Sequence, residues 1–416
     1  MSAVNKILRA YNNNKNFIKN TLLEKNNRLS AKYGCNIFLK REDLQAIRSF
    51  KIRGAYNKIN SLDEDQKKNG ICSASAGNHA QGVVLSAQKL GNIKADIFIP
   101  ESTPLQKLNA IKKFSGTNCS LHVIGKNLDE AFYYSQKFSE DNKATYIHPY
   151  GDIDVIHGQG TIAVEIYNLI NPDFIVSCLG GGGLASGLAL YSKNVNPECK
   201  IIGVEPLMCA AMHESIKQGK VIKLEDYDSF CDGASVAQVS DITFDICNNY
   251  LDDIKLISNE KVCHSIVDLY QNDGIIVEPA GALAISSLDE IVESYGESII
   301  GKNVVVIISG GNNDILRYPQ IQEMALRYEN LKHYFIINFN QKPGELRKFV
   351  NNILNSNDDI TRFEYIKKNS RSYGQCLVGI QIEKAENIEY IKNNLNNNNI
   401  NYIHINENEQ LMNYLI

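Results

Sequence analysis

The sequence predicts an α/β protein with a parallel sheet covered by helices on both faces, followed by a smaller ferredoxin-like domain. Two observations support this fold class. Between residue 70 and about residue 315, short β-rich runs alternate with longer segments of helical length, as in βαβ units. Beyond residue 330 the order changes to β-α-β-β-α-β. A chain of 416 residues is also longer than one typical domain.

The predicted strands of the first part are rich in β-branched and apolar residues. In chain order they are Ala95–Pro100, Ser120–Gly125, Thr145–Pro149, Phe174–Leu179, Lys200–Glu205 and Val304–Ser309. Two of them run into glycine-rich turns, Gly180–Gly183 and Ser309–Asn312. Because ligands collect at the carboxyl ends of parallel strands, these two turns are candidate binding loops.

The tail has the element order of a ferredoxin-like unit. Its predicted elements are strand Tyr334–Phe339, helix Leu346–Leu354, strands Ile360–Lys367 and Gln375–Ile382, helix Ala385–Leu395 and strand Tyr402–Asn406. This pattern is about the minimal size for an independent domain. We place its boundary between Tyr328 and Lys332.

Composition narrows the class of protein. The chain is 44% hydrophobic and 22% charged, with a net charge of −4, and carries no basic stripe, which argues against nucleic acid or an anionic membrane as a partner. Its start has no apolar signal core, and no 18-residue apolar run follows, so we expect a cytoplasmic protein. The ten cysteines are interpreted as reduced core residues.

Lys51 is the first candidate for chemistry. It follows Phe50 and precedes Gly54 at the start of a predicted helix. A lysine becomes a Schiff-base nucleophile only when its amine is partly desolvated and its pKa falls toward neutrality. The alternative is an ordinary solvated lysine. Phe50 could cover a cofactor ring, which favours the catalytic interpretation.

The segment Ser73–Ala80 follows a short strand and opens an apolar helix. Small residues with free backbone N–H groups at a helix N-terminus form an anion site, here suited to a carboxylate. Asn78 adds an amide that can bond a phenolate oxygen, whereas His79 is better explained as a structural group than as a base. An ordinary N-cap turn is the alternative for the whole segment.

Two glycine-rich turns complete the set of candidates. Four consecutive glycines, Gly180–Gly183, are costly in conformational entropy, and their N–H groups form a nest that fits a phosphate. A flexible turn is the alternative. Ser309 either belongs to a tight turn or, if a pyridine ring is bound, places a neutral hydroxyl against its nitrogen. Such a partner makes the ring a milder electron sink, which suits elimination more than transamination. P-loop, His-Glu-x-x-His and Gly-x-Ser-x-Gly motifs are missing from the sequence.

With these features the chain resembles the fold-type II pyridoxal-phosphate enzymes and, within them, the biosynthetic threonine dehydratases. The matching stretches are Lys40–Asp43, Ser49–Ala55, Ser75–Gly82, Gln159–Thr161, Gly180–Leu184, Glu278–Ala282 and Ser309–Asn313, and in the tail Lys342–Arg347 and Asn357–Tyr365. The resemblance implies a catalytic domain over residues 1–330, made of two open twisted α/β subdomains, with a smaller subdomain at about residues 45–150 inserted in the larger. It also implies a single ACT-like regulatory domain over residues 331–416.

The resemblance also implies roles for individual residues. Lys51 would carry pyridoxal 5'-phosphate covalently, with Phe50 beside the ring. Asn78 would bond the cofactor's 3-oxygen and Ser309 would face its ring nitrogen. Two groups of residues would hold the anions: Gly180, Gly181, Gly182, Gly183 and Leu184 the phosphate, and Ser75, Gly77, Asn78 and His79 the substrate carboxylate. No metal site is expected, because Cys209 and Ala211 follow Glu205-Pro206 where related enzymes place acidic ligands.

The function implied is dehydration and deamination of L-threonine to 2-oxobutanoate and ammonia, the first step of isoleucine biosynthesis. L-serine is expected to react too. Isoleucine is the expected effector of the tail, and a homodimer or homotetramer is the expected assembly. Contact between subunits is the alternative role of the tail. A catabolic threonine/serine dehydratase or a serine racemase is the nearest alternative enzyme. An amino-acid-sensing regulatory protein with a vestigial catalytic domain is the alternative of another class.

Overall fold

The computed structural model describes residues 2–366 and 372–415. The chain forms two compact units, residues 1–317 and residues 318–416. No helix of the described ranges is long and apolar enough to cross a membrane.

The first unit alternates helices and strands. Its helices are α1 (Ala3–Asn14), α2 (Asn27–Tyr33), α3 (Lys51–Asn60), α4 (Glu64–Asn69), α5 (Asn78–Lys89), α6 (Leu105–Phe114), α7 (Leu128–Asn142), α8 (Ile153–Tyr167), α9 (Gly183–Val195), α10 (Ala211–Gln218), α11 (Asp241–Tyr250), α12 (Asn259–Asp273), α13 (Pro279–Ser286) and α14 (Leu288–Tyr295). Its strands are β1 (Leu23–Lys25), β2 (Asn36–Arg41), β3 (Ile71–Ala74), β4 (Ala95–Ile99), β5 (Cys119–Val123), β6 (Thr145–Tyr146), β7 (Phe174–Cys178), β8 (Lys200–Pro206), β9 (Asp253–Ile257) and β10 (Asn303–Ile308). Short 3-10 turns lie at Glu42–Leu44, Gly296–Ile299 and Ile315–Arg317.

A six-stranded sheet carries the glycine-rich turns. Its order is β1-β2-β10-β7-β8-β9, and every pair is parallel except β1 with β2. Strand β10 lies between β2 and β7, where Val305 pairs with both Phe38 and Ile175. Strands β7 and β10 are almost entirely buried, as expected for a parallel sheet covered on both faces. Since they are neighbours, the turns after them lie at the same edge of the sheet.

A second sheet supports the predicted carboxylate loop. It has four parallel strands in the order β5-β4-β3-β6 and spans residues 71–146. Helix α5 packs on it through Ala80, Val83 and Val84 in one buried apolar cluster. Strand β3 ends at Ala74, so the segment from Ser75 enters α5 from the carboxyl end of a strand.

Some predicted elements of the first unit differ from the structure. The predicted strand Thr145–Pro149 is reduced to β6, because the chain leaves the sheet once Ile147 has donated its N–H to Cys72 O at 2.8 Å. Strand β9 was not predicted. It lies at the edge of the sheet, and its four residues before Ile257 are only partly buried, so its mixed polar sequence lacks the apolar run of an internal strand.

The second unit has the ferredoxin-like order of elements. Helix α15 (Tyr318–Tyr328) precedes β11 (Lys332–Asn340), α16 (Glu345–Ile353), β12 (Asp359–Tyr365), β13 (Tyr373–Gln381), α17 (Asn387–Asn397), β14 (Tyr402–His404), a 3-10 turn (Ile405–Glu407) and α18 (Glu409–Leu415). The antiparallel sheet has the order β12-β13-β11-β14. The predicted β-α-β-β-α-β order is therefore confirmed, and its core is a buried cluster of its own that includes Phe335, Phe349 and Leu395.

Three details of the tail differ from the prediction. The strand predicted over Ile360–Lys367 ends at Tyr365, and Lys367 lies outside the described residues. The last strand ends at His404 rather than Asn406. There the Asn406 side chain accepts from Tyr334 N–H and donates to Lys332 O, both at 2.8 Å, so a side chain makes contacts that a longer strand would make with its backbone. Helix α18 was not predicted.

Candidate active site

Lys51 is the first residue of α3, and the preceding loop fixes it to the sheet. Phe50 donates its backbone N–H to Ser309 O at 3.1 Å, and Ser49 forms an isolated β-bridge with Gly310. The lysine amine Nζ donates to Pro149 O at 3.1 Å and lies 5.2 Å from the centre of the Phe50 ring. The backbone therefore brings together two distant predicted site residues, Lys51 and Ser309.

The environment of Lys51 favours a neutral amine. Burial lowers the pKa of Lys51 from its ordinary value to about 8, and the nearby Cys178 and Glu278 oppose this only in part. A lysine of this kind has a substantial neutral fraction near neutral pH, which a solvated lysine does not have.

The turn before α5 presents backbone donors. Gly77 donates its N–H to Ser75 Oγ at 3.3 Å, and α5 begins at Asn78. Within residues 2–366 and 372–415 nothing accepts a hydrogen bond from the N–H groups of Asn78 and His79. These two groups are available to a carboxylate.

The imidazole of His79 is used inside the protein. It is buried, and its Nε2 lies 2.9 Å from Ile147 O, so Nε2 carries the proton. Burial lowers the pKa of His79 to about 3, so the ring is neutral. Its backbone N–H is thus the group of His79 that fits the predicted carboxylate loop.

The amide of Asn78 has a fixed orientation. Its Nδ2 donates to Glu278 Oε1 at 2.7 Å, and its Oδ1 accepts from Asn312 Nδ2 at 2.8 Å. Asn312 Nδ2 also donates to Ile47 O at 2.7 Å. One N–H of the Asn78 side-chain amide therefore remains for the predicted contact with a phenolate oxygen.

Glu278 is a site residue whose contact the sequence did not reveal. It is buried at the start of α13, where a Cβ on Gly310 would lie 2.0 Å from its Oε1. Burial raises the pKa of Glu278 to about 7. The only signal in the sequence is the run Glu278–Ala282, which carries the family resemblance without a role for the carboxyl group.

The turn Gly180–Gly183 leads into α9 and consists of glycine for steric reasons. A Cβ on Gly180 would lie 2.6 Å from Ala234 O, and one on Gly181 would lie 2.2 Å from Tyr150 Cγ. Gly182 has φ +87°, a left-handed conformation that favours glycine. Any side chain would disturb the loop, because neighbouring atoms already occupy the space that it would need.

The N–H groups of this turn are free for an anion. In the part of the chain that the structure describes, no group accepts a hydrogen bond from the backbone N–H groups of Gly180–Leu184. They lie at the N-terminus of α9, whose dipole favours a phosphate. Tyr150, whose ring packs on Gly181 while its hydroxyl donates to Gln238 O at 2.9 Å, was not predicted.

Ser309 follows β10 and is buried. Its hydroxyl donates to Ala280 O at 3.2 Å and contacts the thiol of Cys178 at the end of β7. No carboxylate takes part in these contacts. The group that the resemblance assigns to the ring nitrogen is therefore a neutral hydroxyl.

The side chain of Glu205 is hydrogen-bonded within the protein. Its two carboxylate oxygens accept from the backbone N–H groups of Met212 at 2.9 Å and His213 at 2.8 Å, at the start of α10. Among the described residues, no group of three or more His, Cys, Asp or Glu side chains is arranged to hold a metal ion.

These features fit pyridoxal phosphate. The site offers a partly desolvated lysine amine, a run of unpartnered N–H groups for a phosphate and a neutral hydroxyl for the ring nitrogen. In addition, a fixed amide offers an N–H to a phenolate oxygen. Together these donors define a site for a phosphorylated aldehyde cofactor.

Comparison with known proteins agrees with a pyridoxal-phosphate site. The family described as "Pyridoxal-phosphate dependent enzyme" matches residues 15–310, and the family described as "C-terminal regulatory domain of Threonine dehydratase" matches residues 323–415. The L-threonine dehydratase biosynthetic IlvA of Staphylococcus saprophyticus is 47% identical over 98% of this chain and 97% of its own length.

Solved structures agree as well. The processed form of threonine deaminase isoform 2 from Solanum lycopersicum has a TM-score of 0.73 and 38% identity, over 78% of this chain and 92% of that chain. Maize serine racemase has a TM-score of 0.71 and 30% identity, over 79% and 98%. The chain belongs to the pyridoxal-phosphate dependent enzymes and, within them, to the biosynthetic threonine dehydratase family. Pyridoxal phosphate is its cofactor, and the fold-type II prediction is confirmed.

Proposed function

We propose that this protein converts L-threonine to 2-oxobutanoate and ammonia, as the first step of isoleucine biosynthesis, and that it also accepts L-serine. The observation that carries the proposal is the partly desolvated amine of Lys51, which donates to Pro149 O, one residue before the Tyr150 that packs on Gly181 in the turn with free N–H groups. The family of the chain and its relatives support the choice of substrate.

The residues divide the work between binding and proton transfer. The N–H groups of Asn78 and His79 hold the substrate carboxylate. The N–H groups of Gly180–Leu184 hold the cofactor phosphate. When bound there, pyridoxal phosphate would supply an electron sink for the pair left on Cα.

Lys51 is the base of the reaction. Its lowered pKa leaves a substantial neutral fraction near neutral pH, so the amine can take the Cα proton of the substrate. The β-hydroxyl then leaves as water with one proton, which balances the proton that Lys51 has taken from Cα. Hydrolysis of the resulting enamine consumes one water and gives the keto acid and ammonia. Because Ser309 is neutral, it does not hold the ring nitrogen in the protonated form, which favours elimination over transamination.

The decisive experiment measures 2-oxobutanoate formed from L-threonine by the purified protein, together with the absorbance band of its bound cofactor. Lys51→Ala should lose both turnover and the band, whereas Lys19→Ala should retain both as a control. Turnover and a band that survive Lys51→Ala would refute the assignment of Lys51.

A serine racemase is the second candidate, because the maize enzyme shares the fold at 30% identity. Residues 323–415 favour the dehydratase, since they match a threonine dehydratase regulatory domain. Chiral analysis of the products from L-serine separates the two: D-serine indicates racemisation and pyruvate indicates elimination. A vestigial sensor is opposed by the intact set of Lys51, Gly180–Gly183 and Ser309.

We further propose that isoleucine inhibits the enzyme by binding to the regulatory domain, assigned to residues 331–416. The match of residues 323–415 to the regulatory domain and the separate core of the second unit support this role. Isoleucine should lower threonine turnover of the full chain. A truncation after Arg317, where the first unit ends, should remove the effect. Undiminished inhibition of the truncated enzyme would refute an effector site in the tail.

We also propose that residues 1–330 form the catalytic domain, with a smaller subdomain at about residues 45–150. We propose in addition that the protein is a homodimer or homotetramer and that it is cytoplasmic. Light scattering coupled to size-exclusion chromatography measures the assembly, and fractionation of the source cells measures the location.

A further inference from the structure

Three stretches of the sequence that carry the family resemblance have no role in the proposed reaction. They are Lys40–Asp43, the residues after Lys51 in Ser49–Ala55, and Gln159–Thr161. In the structure these three stretches contact one another beside the first turn of α3. Lys40 and Glu42 of the first stretch, Arg53 of the second and Glu165 of α8 form what we call the buried ion network. These four side chains are 0–2% exposed.

Arg53 is the centre of the network. Its Nε and Nη2 donate to the two carboxylate oxygens of Glu42 at 2.7 and 2.8 Å. Its Nη1 and Nη2 donate to those of Glu165 at 2.7 and 2.9 Å. Nη1 also donates to Thr161 Oγ1 at 3.1 Å. The planar guanidinium thus grips two carboxylates at once, which an ammonium group cannot do.

The other members complete the hydrogen bonding. Lys40 Nζ donates to Glu165 Oε2 at 2.5 Å and to Thr21 O at 2.7 Å. Thr21 Oγ1 donates to Glu42 Oε1 at 2.5 Å. Two positive charges therefore balance two negative charges, and each carboxylate oxygen has a donor. The network joins α3, α8, β2 and the segment after α1.

The backbone of α3 is equally constrained. Gly54 donates its N–H to Gln159 Oε1 at 3.1 Å. A Cβ on Gly158 would lie 2.6 Å from Arg53 O, so α3 and α8 are in direct backbone contact. On another side, a Cβ on Gly82 of α5 would lie 3.3 Å from the backbone of Lys51. The helix that begins with Lys51 is therefore held from several directions.

A buried ion network is weak evidence for stability, because apolar residues of similar volume often stabilise as well or better. What it supplies is directional geometry. Arg53 lies two residues after Lys51, on the first turn of the same helix. We propose that Arg53 is a positioning residue: through the buried ion network it fixes the register of α3, and with it the place of the Lys51 amine relative to the cofactor. This inference rests on the proposed role of Lys51.

The first test is Arg53→Lys in the full-length holoenzyme. It keeps the charge but loses the paired hydrogen bonds to Glu42 and Glu165. We therefore expect kcat for L-threonine to fall by about tenfold to a hundredfold, with KM changed by less than about threefold. The absorbance band of the bound cofactor should weaken or shift, because the amine no longer meets the aldehyde in one fixed position.

Arg28→Lys, at a partly exposed site, is the control for the substitution itself. Arg28 also spans two carboxylates, with Nη1 3.1 Å from Asp268 Oδ1 and Nη2 bonded to both Asp268 and Asp273, but it joins α2 to α12 and contacts no site residue. Its kcat and cofactor band should stay within about twofold of wild type. Equal losses in the two variants, or no loss in Arg53→Lys, would overturn the positioning role.

A second variant separates positioning from stability. Replacing the whole network by apolar residues, as Lys40→Met, Glu42→Leu, Arg53→Met and Glu165→Leu together, leaves none of its four charges behind. We expect a cooperatively melting protein with kcat reduced by at least about tenfold and an altered cofactor band. Wild-type kcat and an unchanged band in that folded variant would overturn the proposal.

Thr161→Val decides the question if neither of these variants folds. It keeps every charge and removes one bond to Arg53, so kcat should fall by about threefold at constant KM, whereas an unchanged kcat would overturn the proposal. Failure of the proposed function itself looks different, because the wild-type protein would then bind the cofactor but form no 2-oxobutanoate from L-threonine.

Discussion

The lowered pKa of Lys51 predicts how fast the cofactor-free protein captures pyridoxal phosphate at each pH. Only the neutral amine attacks an aldehyde. With a pKa of about 8, roughly a tenth of Lys51 is neutral at pH 7. A solvated lysine with the ordinary pKa is neutral to only about 0.03%. The structure therefore predicts an advantage of about 300-fold for Lys51 over surface lysines of equal intrinsic reactivity.

The assay is stopped-flow absorbance of the cofactor-free enzyme mixed with pyridoxal phosphate, from about pH 6 to about pH 10. The sign follows from desolvation, which disfavours the ammonium form. The capture rate should rise with pH and level off above about pH 8. Lys51→Ala should leave only slow reaction with surface amines. A rate that still climbs steeply at about pH 10 would contradict the desolvation argument.

Three further predictions concern other parts of the site. Gly181→Ala places a Cβ 2.2 Å from Tyr150 Cγ and should weaken cofactor binding by at least about tenfold, as measured by equilibrium dialysis. The double variant that also carries Tyr150→Ala should recover part of this loss. Glu278→Gln should raise the free energy of unfolding of the cofactor-free protein by up to about 3 kcal/mol above pH 7, because the raised pKa of Glu278 makes ionisation in the folded state costly. That gain should shrink as the pH falls toward the carboxyl group's ordinary pKa, and urea titrations that show no such trend would contradict it. Steady-state kinetics should give kcat/KM values for L-threonine and L-serine within about 200-fold of each other, since one methyl group separates them; a larger ratio would indicate a polar discriminator in the pocket.

The sequence predicted the parts of the site that depend on local chemistry. A lysine at a helix start, a glycine run after a strand and small residues before a helix are each visible within a few positions. The strands that carry the glycine-rich turns were predicted for the same reason, since buried parallel strands are continuous apolar runs. Strand β9 lacks such a run and was missed.

The remaining features depend on contacts between distant residues. Glu278 reaches Asn78, and Tyr150 packs on Gly181, only after the two sheets of the first unit have formed. Periodicity and residue type carry no information about such pairs. Arg53 is an example of the same limit: within its own helix it is indistinguishable from a surface arginine, yet it is 1% exposed.

The place of β10 in its sheet has a consequence for biosynthesis of the chain. This strand is the last of the first unit to be translated, yet it lies between β2 and β7. While a ribosome is still adding residues before Asn303, β2 and β7 have no partner between them, and Phe50 lacks the Ser309 carbonyl that anchors the lysine loop. Such late, long-range pairing slows folding and leaves strand edges open to aggregation. Cofactor capture by a nascent chain would therefore report that the whole first unit has emerged and closed.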